Sequence, residues 1–160
     1  MEKPKIFIKL EEAPKDAEKI DAFTSGLKEF FLAEHPHLKS QKEVFEKEFS
    51  AFEKNHSIKG IWIYFPWNNK LVHSLPEDLY FKLRTNRNRN VITEEEQIKY
   101  RNLKVGIAGL SVGSSVLHAL VMSGGPKIIK IADFDVLEVT NLNRIRAGLP
   151  DVGLNKTLIA

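Results

Sequence analysis

One stretch of this chain allows few folds. Val105-Gly106-Ile107-Ala108 is a short apolar run, and Gly109-Leu110-Ser111-Val112-Gly113-Ser114-Ser115 is a turn of mostly small residues. Val116 to Ser123 has helical character and stops at Gly124-Gly125-Pro126, which is C-cap and stop chemistry. Ile128 to Ala132 is a second apolar run, ending in Asp133-Phe134-Asp135. The order strand, small-residue turn, helix, strand, acid predicts two neighbouring parallel strands, each buried on both faces.

That order suits a nucleotide. A turn without bulky side chains lets the backbone approach a phosphate, and the following helix presents its unpaired N–H groups and positive dipole end. The second strand ends beside the same crevice, where a carboxylate accepts hydrogen bonds from ribose hydroxyls. Asp133 stands 24 residues after Gly109, close to the spacing that role requires. Gly109-Leu110-Ser111-Val112-Gly113 also fits the Gly-x-Ser-x-Gly elbow of serine hydrolases. That mechanism needs an acid and then a histidine later in the chain, and the last histidine is His118, within the next helix. The hydrolase reading is therefore set aside.

Beyond the acid come Thr140-Asn141-Leu142-Asn143-Arg144 and then Asp151-Val152-Gly153-Leu154-Asn155-Lys156. An ordinary dinucleotide dehydrogenase has no need of these side chains. A triphosphate site does, because two cations near the β- and γ-phosphates offset charge on a departing pyrophosphate.

Together, Asp133-Phe134-Asp135, Thr140-Asn141-Leu142-Asn143-Arg144 and the Gly153-x-x-Lys156 pair resemble the Asp-x-Asp, Ser/Thr-Asn-Leu-x-Arg-Gln and Gly-x-x-Lys series of the ThiF/MoeB (ubiquitin-activating-type) adenylyltransferases. The likeness covers about residues 87 to 160. It implies an α/β fold: an incomplete Rossmann-like, ThiF-type nucleotide-binding fold preceded by a small α+β domain. By position, Asp133 would hold the ribose of ATP. Asn141, Arg144 and Lys156 would contact the phosphates, Arg144 and Lys156 as the catalytic cations, and Thr140 would shape their loop. The turn from Gly109 through Val112 and Gly113 to Ser114 would line the nucleotide. Arg87 or Arg89 would match an arginine that the family delivers across a dimer interface.

The resemblance further implies ATP with Mg2+, the magnesium ligand lying beyond residue 160. It implies a ubiquitin-like or sulfur-carrier protein whose C-terminal glycine is adenylated, and a homodimer. The pattern departs from the family at Ser111, Val112 and Ser114, which replace later glycines of the turn, and Gly113 falls one position early. Val112 stands where a glycine often touches ATP, and Ile145 replaces the glutamine after the arginine. Two other readings stay open: an NAD-dependent oxidoreductase with a Rossmann half, and a non-catalytic scaffold of the ThiF fold.

The preceding residues carry no chemical constellation. Lys5 to Leu10 alternates as a strand does, and Pro14-Lys15-Asp16 opens a helical stretch through Ile20, Phe23, Leu27, Phe30 and Phe31. His35-Pro36-His37 breaks that stretch, and a second helix runs from about Ser40 to Asn55. Gly60–Phe65 and Leu71–His73 read as a hairpin whose Trp62, Tyr64 and Trp67 are packing residues, and Pro76 to Leu83 as a helical connector. The divisions expected are a small α+β domain over 1–83, a linker and helix over 84–100, and the start of the adenylation domain over 101–160. Within the middle segment, Thr93 with Glu96 has the pattern of a capping box.

Composition narrows the partners. The 160 residues carry 24 basic and 21 acidic side chains, a net charge of +3, too even to imply nucleic acid or an anionic membrane. There is no cysteine, hence no disulfide, thiolate catalysis or Cys-ligated zinc, and no metal site is expected from the five histidines. The opening Met1-Glu2-Lys3-Pro4-Lys5 lacks an apolar core. No apolar run approaches the roughly eighteen residues that span a bilayer. The expectation is a cytoplasmic protein. The chain stops at Thr157-Leu158-Ile159-Ala160 inside an expected helix, so a fragment of a longer protein is also expected.

Overall fold

The computed structural model describes residues 2–160. They form two compact units, one up to Asn86 and one from Arg87 to Ala160.

The first unit holds a four-stranded sheet and three helices. The strands are β1 (Lys5–Phe7), β2 (Glu18–Asp21), β3 (Ile61–Phe65) and β4 (Lys70–Ser74), in the order β1-β3-β4-β2. The expected hairpin is present. β3 pairs antiparallel with β4, Trp62 opposite His73, through a short 3-10 turn at Pro66–Asn68 and Asn69 at φ 52°. Trp62 and Tyr64 pack around Leu71, Ala13 and Ala17, and Trp67 meets Phe65 edge-on at 5.3 Å.

The helix expected from Pro14 starts later. Glu18–Asp21 is β2, parallel to Lys70–His73, and α1 runs Phe23–Glu34. Asp21 marks the boundary, because its Oδ1 accepts the N–H of Phe23 at 2.9 Å and of Thr24 at 3.3 Å. That satisfies two donors which a helix start leaves unpaired. β1 is also shorter than expected, since Leu10 opens a 3-10 turn, Leu10–Glu12. α2 spans Lys42–Asn55 and α3 Glu77–Thr85. Leu27, Phe31, Leu38, Phe45, Phe49 and Leu75 form the core of this helical part.

The second unit begins in a 3-10 turn over Asn86–Asn90 where a linker was expected, followed by α4 (Glu94–Asn102). The Thr93 capping box forms: the Thr93 hydroxyl accepts the Glu96 N–H at 3.2 Å, and the Glu96 carboxylate accepts the Thr93 N–H at 2.8 Å. β5 (Lys104–Ala108) and β6 (Ile128–Ala132) pair in parallel, Val105 opposite Ile129. Between them runs α5, Gly113–Met122, which starts three residues before the expected Val116. The unit thus has the strand–turn–helix–strand order of a Rossmann-like fold.

The two strands are not buried on both faces. Val105, Ile107, Ile129 and Ile131 are half-buried, and the residues between them are exposed. Lys130 inside the run Ile-Ile-Lys-Ile-Ala is the sign of that alternation. Gly113 sits against the covered side, where a Cβ would lie 2.8 Å from Ile107 Cγ2. α5 closes as expected: Gly124, at φ 71°, donates to Val121 O at 3.3 Å and Gly125 to Leu120 O at 2.8 Å.

Candidate functional site

Everything at this site starts from the turn after β5. Gly109 leaves the strand at φ 87°, a conformation that costs a side-chain-bearing residue dearly, and its N–H bonds to Ala132 O at 2.8 Å. The start of the turn is thereby tied to the end of β6. Gly113 opens α5, a helix of 10 residues, and by helix geometry the first-turn N–H groups point away from it. Val112 stands at the lip of this turn, 72% exposed.

Asp133 is joined to the same turn. One carboxylate oxygen accepts the Leu110 N–H at 2.5 Å and the other the Asp135 N–H at 2.8 Å. The Leu110 bond, then the Asp135 bond, hold its carboxyl below the usual carboxylate range; partial desolvation opposes them and Lys156 adds to them. A depressed folded-state value means that this contribution is complete above the ordinary value of 3.8 and fades as pH falls through the lower, folded one. Amide protection at Leu110 is therefore expected to stay flat from neutral pH to about 4 and to fall only under stronger acid, as hydrogen exchange would show. Asp133→Ala should remove that acid dependence.

Arg144 reaches the turn from the loop beyond β6. Its Nε donates to Ser111 Oγ at 3.2 Å, and its Nη1 to Asn143 Oδ1 at 2.9 Å and to Thr140 O at 3.3 Å. Asp133 on Leu110 and Arg144 on Ser111 thus bond to adjacent residues of one turn. Thr140 lies in this loop, its hydroxyl donating to Glu138 Oε2 at 3.3 Å.

Asn141 differs. It is 6% exposed, its Oδ1 accepts the Glu138 N–H at 3.2 Å and its Nδ2 donates to Thr140 Oγ1 at 3.4 Å. Its side chain braces the 3-10 turn Val139–Asn141 and is not presented to a ligand.

Lys156 is buried, 6% exposed, with Nζ 2.8 Å from Asp135 Oδ2. Its N–H also bonds to Asp135 O at 3.0 Å, beside a bridge between Val136 and Asn155. Gly153, at φ 91°, lets the loop turn back, its N–H bonding to Leu137 O at 2.9 Å. The loop 136–155 therefore begins and ends at one point, where Lys156 pairs with Asp135. A cleft of about 390 Å³ runs between α5 and α6 (Lys156–Ile159), lined by Leu117, Val121, Ile145 and Lys156 among others. Asp133 and Arg144 do not line this cleft. Ile145, 7% exposed, packs inward.

Arg87 and Arg89 are not brought to this surface within the chain. Asn88, between them, donates to Ser123 O at 3.0 Å and to Gln97 Oε1 at 2.8 Å, and Gln97 donates to Gly124 O at 3.0 Å. These side chains bind the C-terminal end of α5. The phosphate turn is at the other end, about 15 Å away for ten residues at 1.5 Å each.

Sequence reasoning left three members of the constellation without a role. Asp135 was seen only as part of an Asp-x-Asp pattern. Ser111 was read as a missing glycine and as the serine of a hydrolase elbow that was set aside. Asn155, whose Oδ1 accepts the Thr157 N–H at 2.9 Å and whose Nδ2 reaches Asp133 O at 3.3 Å, lay in the Gly-x-x-Lys stretch. Its N-cap residue type, directly before a helix, was the available signal.

The ThiF family model matches residues 85–160. An uncharacterized protein of Mycobacterium tuberculosis (strain CDC 1551 / Oshkosh), MT1398, is 41% identical over 99 residues, which are 62% of this chain and 14% of that protein's length. No solved structure matches the chain. No helix among the described residues is long and apolar enough to cross a membrane. Residues 85–160, the strand–turn–helix–strand unit with the loop that returns to it, are the part of this chain that matches the ThiF family.

Proposed function

We propose that this unit is the ATP site of an adenylyltransferase that activates a carboxylate. ThiF proteins are in general adenylyltransferases that use ATP, and the match over residues 85–160 sets the reading at that level. The observation that carries it further is the meeting of Asp133 and Arg144 on neighbouring residues, Leu110 and Ser111, of one glycine turn.

In this proposal the substrate is the C-terminal glycine of a ubiquitin-like or sulfur-carrier protein. A carboxylate oxygen attacks the α-phosphorus, the bond from that phosphorus to the bridging oxygen breaks, and pyrophosphate leaves with the electron pair. Asp133 orients the ribose edge, the N–H groups at the start of α5 receive phosphate oxygens, and Arg144 holds charge on the departing group. Lys156 serves the same charge once a phosphate oxygen competes for the Nζ that Asp135 now holds. Magnesium travels with the triphosphate. Among the described residues no group of three or more His, Asp or Glu is placed to hold it, so no role is assigned to it here.

Arg87 or Arg89 would be delivered to a second copy's site in a homodimer, and the protein would act in the cytoplasm. The test is ATP–pyrophosphate exchange by the protein with glycine-terminated carrier proteins. Exchange that depends on the carrier is expected. No exchange with any carrier, together with tighter binding of NAD than of ATP, would overturn the reading.

A further inference from the structure

We propose that Ser111 is a positioning residue, whose hydroxyl holds the Arg144 guanidinium over the phosphate turn. Its functional consequence rests on the nucleotide reading above; the contact itself does not.

Arg144 has three acceptors. Two of them, Thr140 O and Asn143 Oδ1, belong to its own loop, and both take Nη1. They orient the guanidinium relative to that loop and say nothing about the turn. The third, Ser111 Oγ at 3.2 Å, crosses 33 residues of sequence and takes Nε. It supplies the side-chain link from the loop cation to the turn.

Ser111 is itself held. Ser114 Oγ donates to the Ser111 carbonyl oxygen at 3.0 Å, so one of the two serines that interrupt the glycine pattern braces the backbone of the other. A hydroxyl has two acceptor lone pairs and one proton. Here Oγ accepts from Arg144 and its proton is left for another acceptor, such as a phosphate oxygen. A glycine or alanine at 111 would keep the space for the phosphate and lose the link. The departure from a glycine pattern is therefore a gain of function for the turn, with Arg144 fixed before ligand arrives. Preorganisation of that kind raises affinity by lowering the ordering cost of binding.

The test uses the chain as it stands, with variants S111A, S111T, R144A and S111A/R144A, and two readouts. The first is the NMR signal of the Arg144 Nε–H, identified by its loss in R144A. It should shift and exchange faster with water in S111A, and stay near its original position in S111T. The second is binding of ATP and of adenosine by calorimetry. S111A should weaken ATP binding by about fivefold to tenfold, within the net range of one typical lost hydrogen bond, with adenosine changed less than about twofold. S111T should restore ATP binding, and S111A should add nothing in the R144A background.

An unchanged Nε–H signal in S111A overturns the proposal. So does equal weakening of ATP and adenosine, since that would be general damage to the turn. If the unsubstituted chain binds no nucleotide, the ATP reading fails, while the Nε–H signal still decides whether Ser111 positions Arg144.

Discussion

Arg144→Ala is expected to weaken ATP binding roughly 10- to 100-fold, the range of one or two charge-assisted hydrogen bonds to phosphate. The fold should survive. Arg144 is exposed, and its bonds to Thr140, Asn143 and Ser111 all run across the surface. Its removal strands no buried charge. The loss should scale with the number of phosphates, large for ATP, smaller for AMP and near zero for adenosine, because the side chain faces the turn and not the end of β6. Arg144→Lys should recover only part of the loss, since an ammonium cannot use Nε and Nη1 as two separate fixed donors. Calorimetry across ATP, AMP and adenosine checks this. Equal affinity of R144A and the unsubstituted chain for ATP would remove Arg144 from the site.

The second large effect is on stability and is asymmetric. Lys156 is 6% exposed at its side chain while Asp135 is 51% exposed, so the two members of the pair differ in what their partner's loss leaves behind. Asp135→Ala leaves a buried ammonium without its carboxylate. The cost should be about 2 kcal/mol, below the full range for a wholly buried pair because Asp135 is half in water. In a unit of this size that lowers the melting temperature by roughly 10 °C.

Lys156→Met leaves a carboxylate that water can solvate, and places an apolar chain where Leu110 and Ile145 already line the wall. It should cost less than about 1 kcal/mol, and the double variant should recover most of what Asp135→Ala loses. Thermal unfolding of the three variants measures this. Equal loss for the two single substitutions would show that Lys156 is not buried as a charge. For ATP the order reverses, with Lys156→Met weakening binding in a protein that remains folded.

How much of this could be read from the residues depended on sequence distance. The strand–turn–helix–strand order, the C-cap at Gly124-Gly125 and the Thr93 capping box are local, set by bonds between residues within a few positions, and they were legible. β2 was not. Ile20 fits a helical period with Phe23 and Leu27, and only the pairing of Glu18–Asp21 with Lys70–His73 makes it a strand. Nothing near Ile20 in sequence announces that partner.

The site divides the same way. Asp133, Arg144 and Lys156 were legible as types in a spaced pattern, but their present partners were not. Lys156 is held by Asp135 because the intervening loop closes on itself through Gly153, which no spacing rule states. Asn141 was expected to face phosphate and instead braces its own turn, since a buried amide must spend its hydrogen bonds where it sits. Ser111 looked like a defect in a glycine turn until Arg144 came within reach of it.

The claim on which the rest stands is that the turn after β5, the end of β6 and the Arg144 loop form one phosphate-binding surface. Amide chemical-shift mapping of the chain during titration with ATP tests it most directly. Saturable shifts concentrated at 109–114, at Asp133 and at 140–144 are expected. Saturating ATP that leaves those three segments unshifted, or shifts only residues elsewhere, would contradict it.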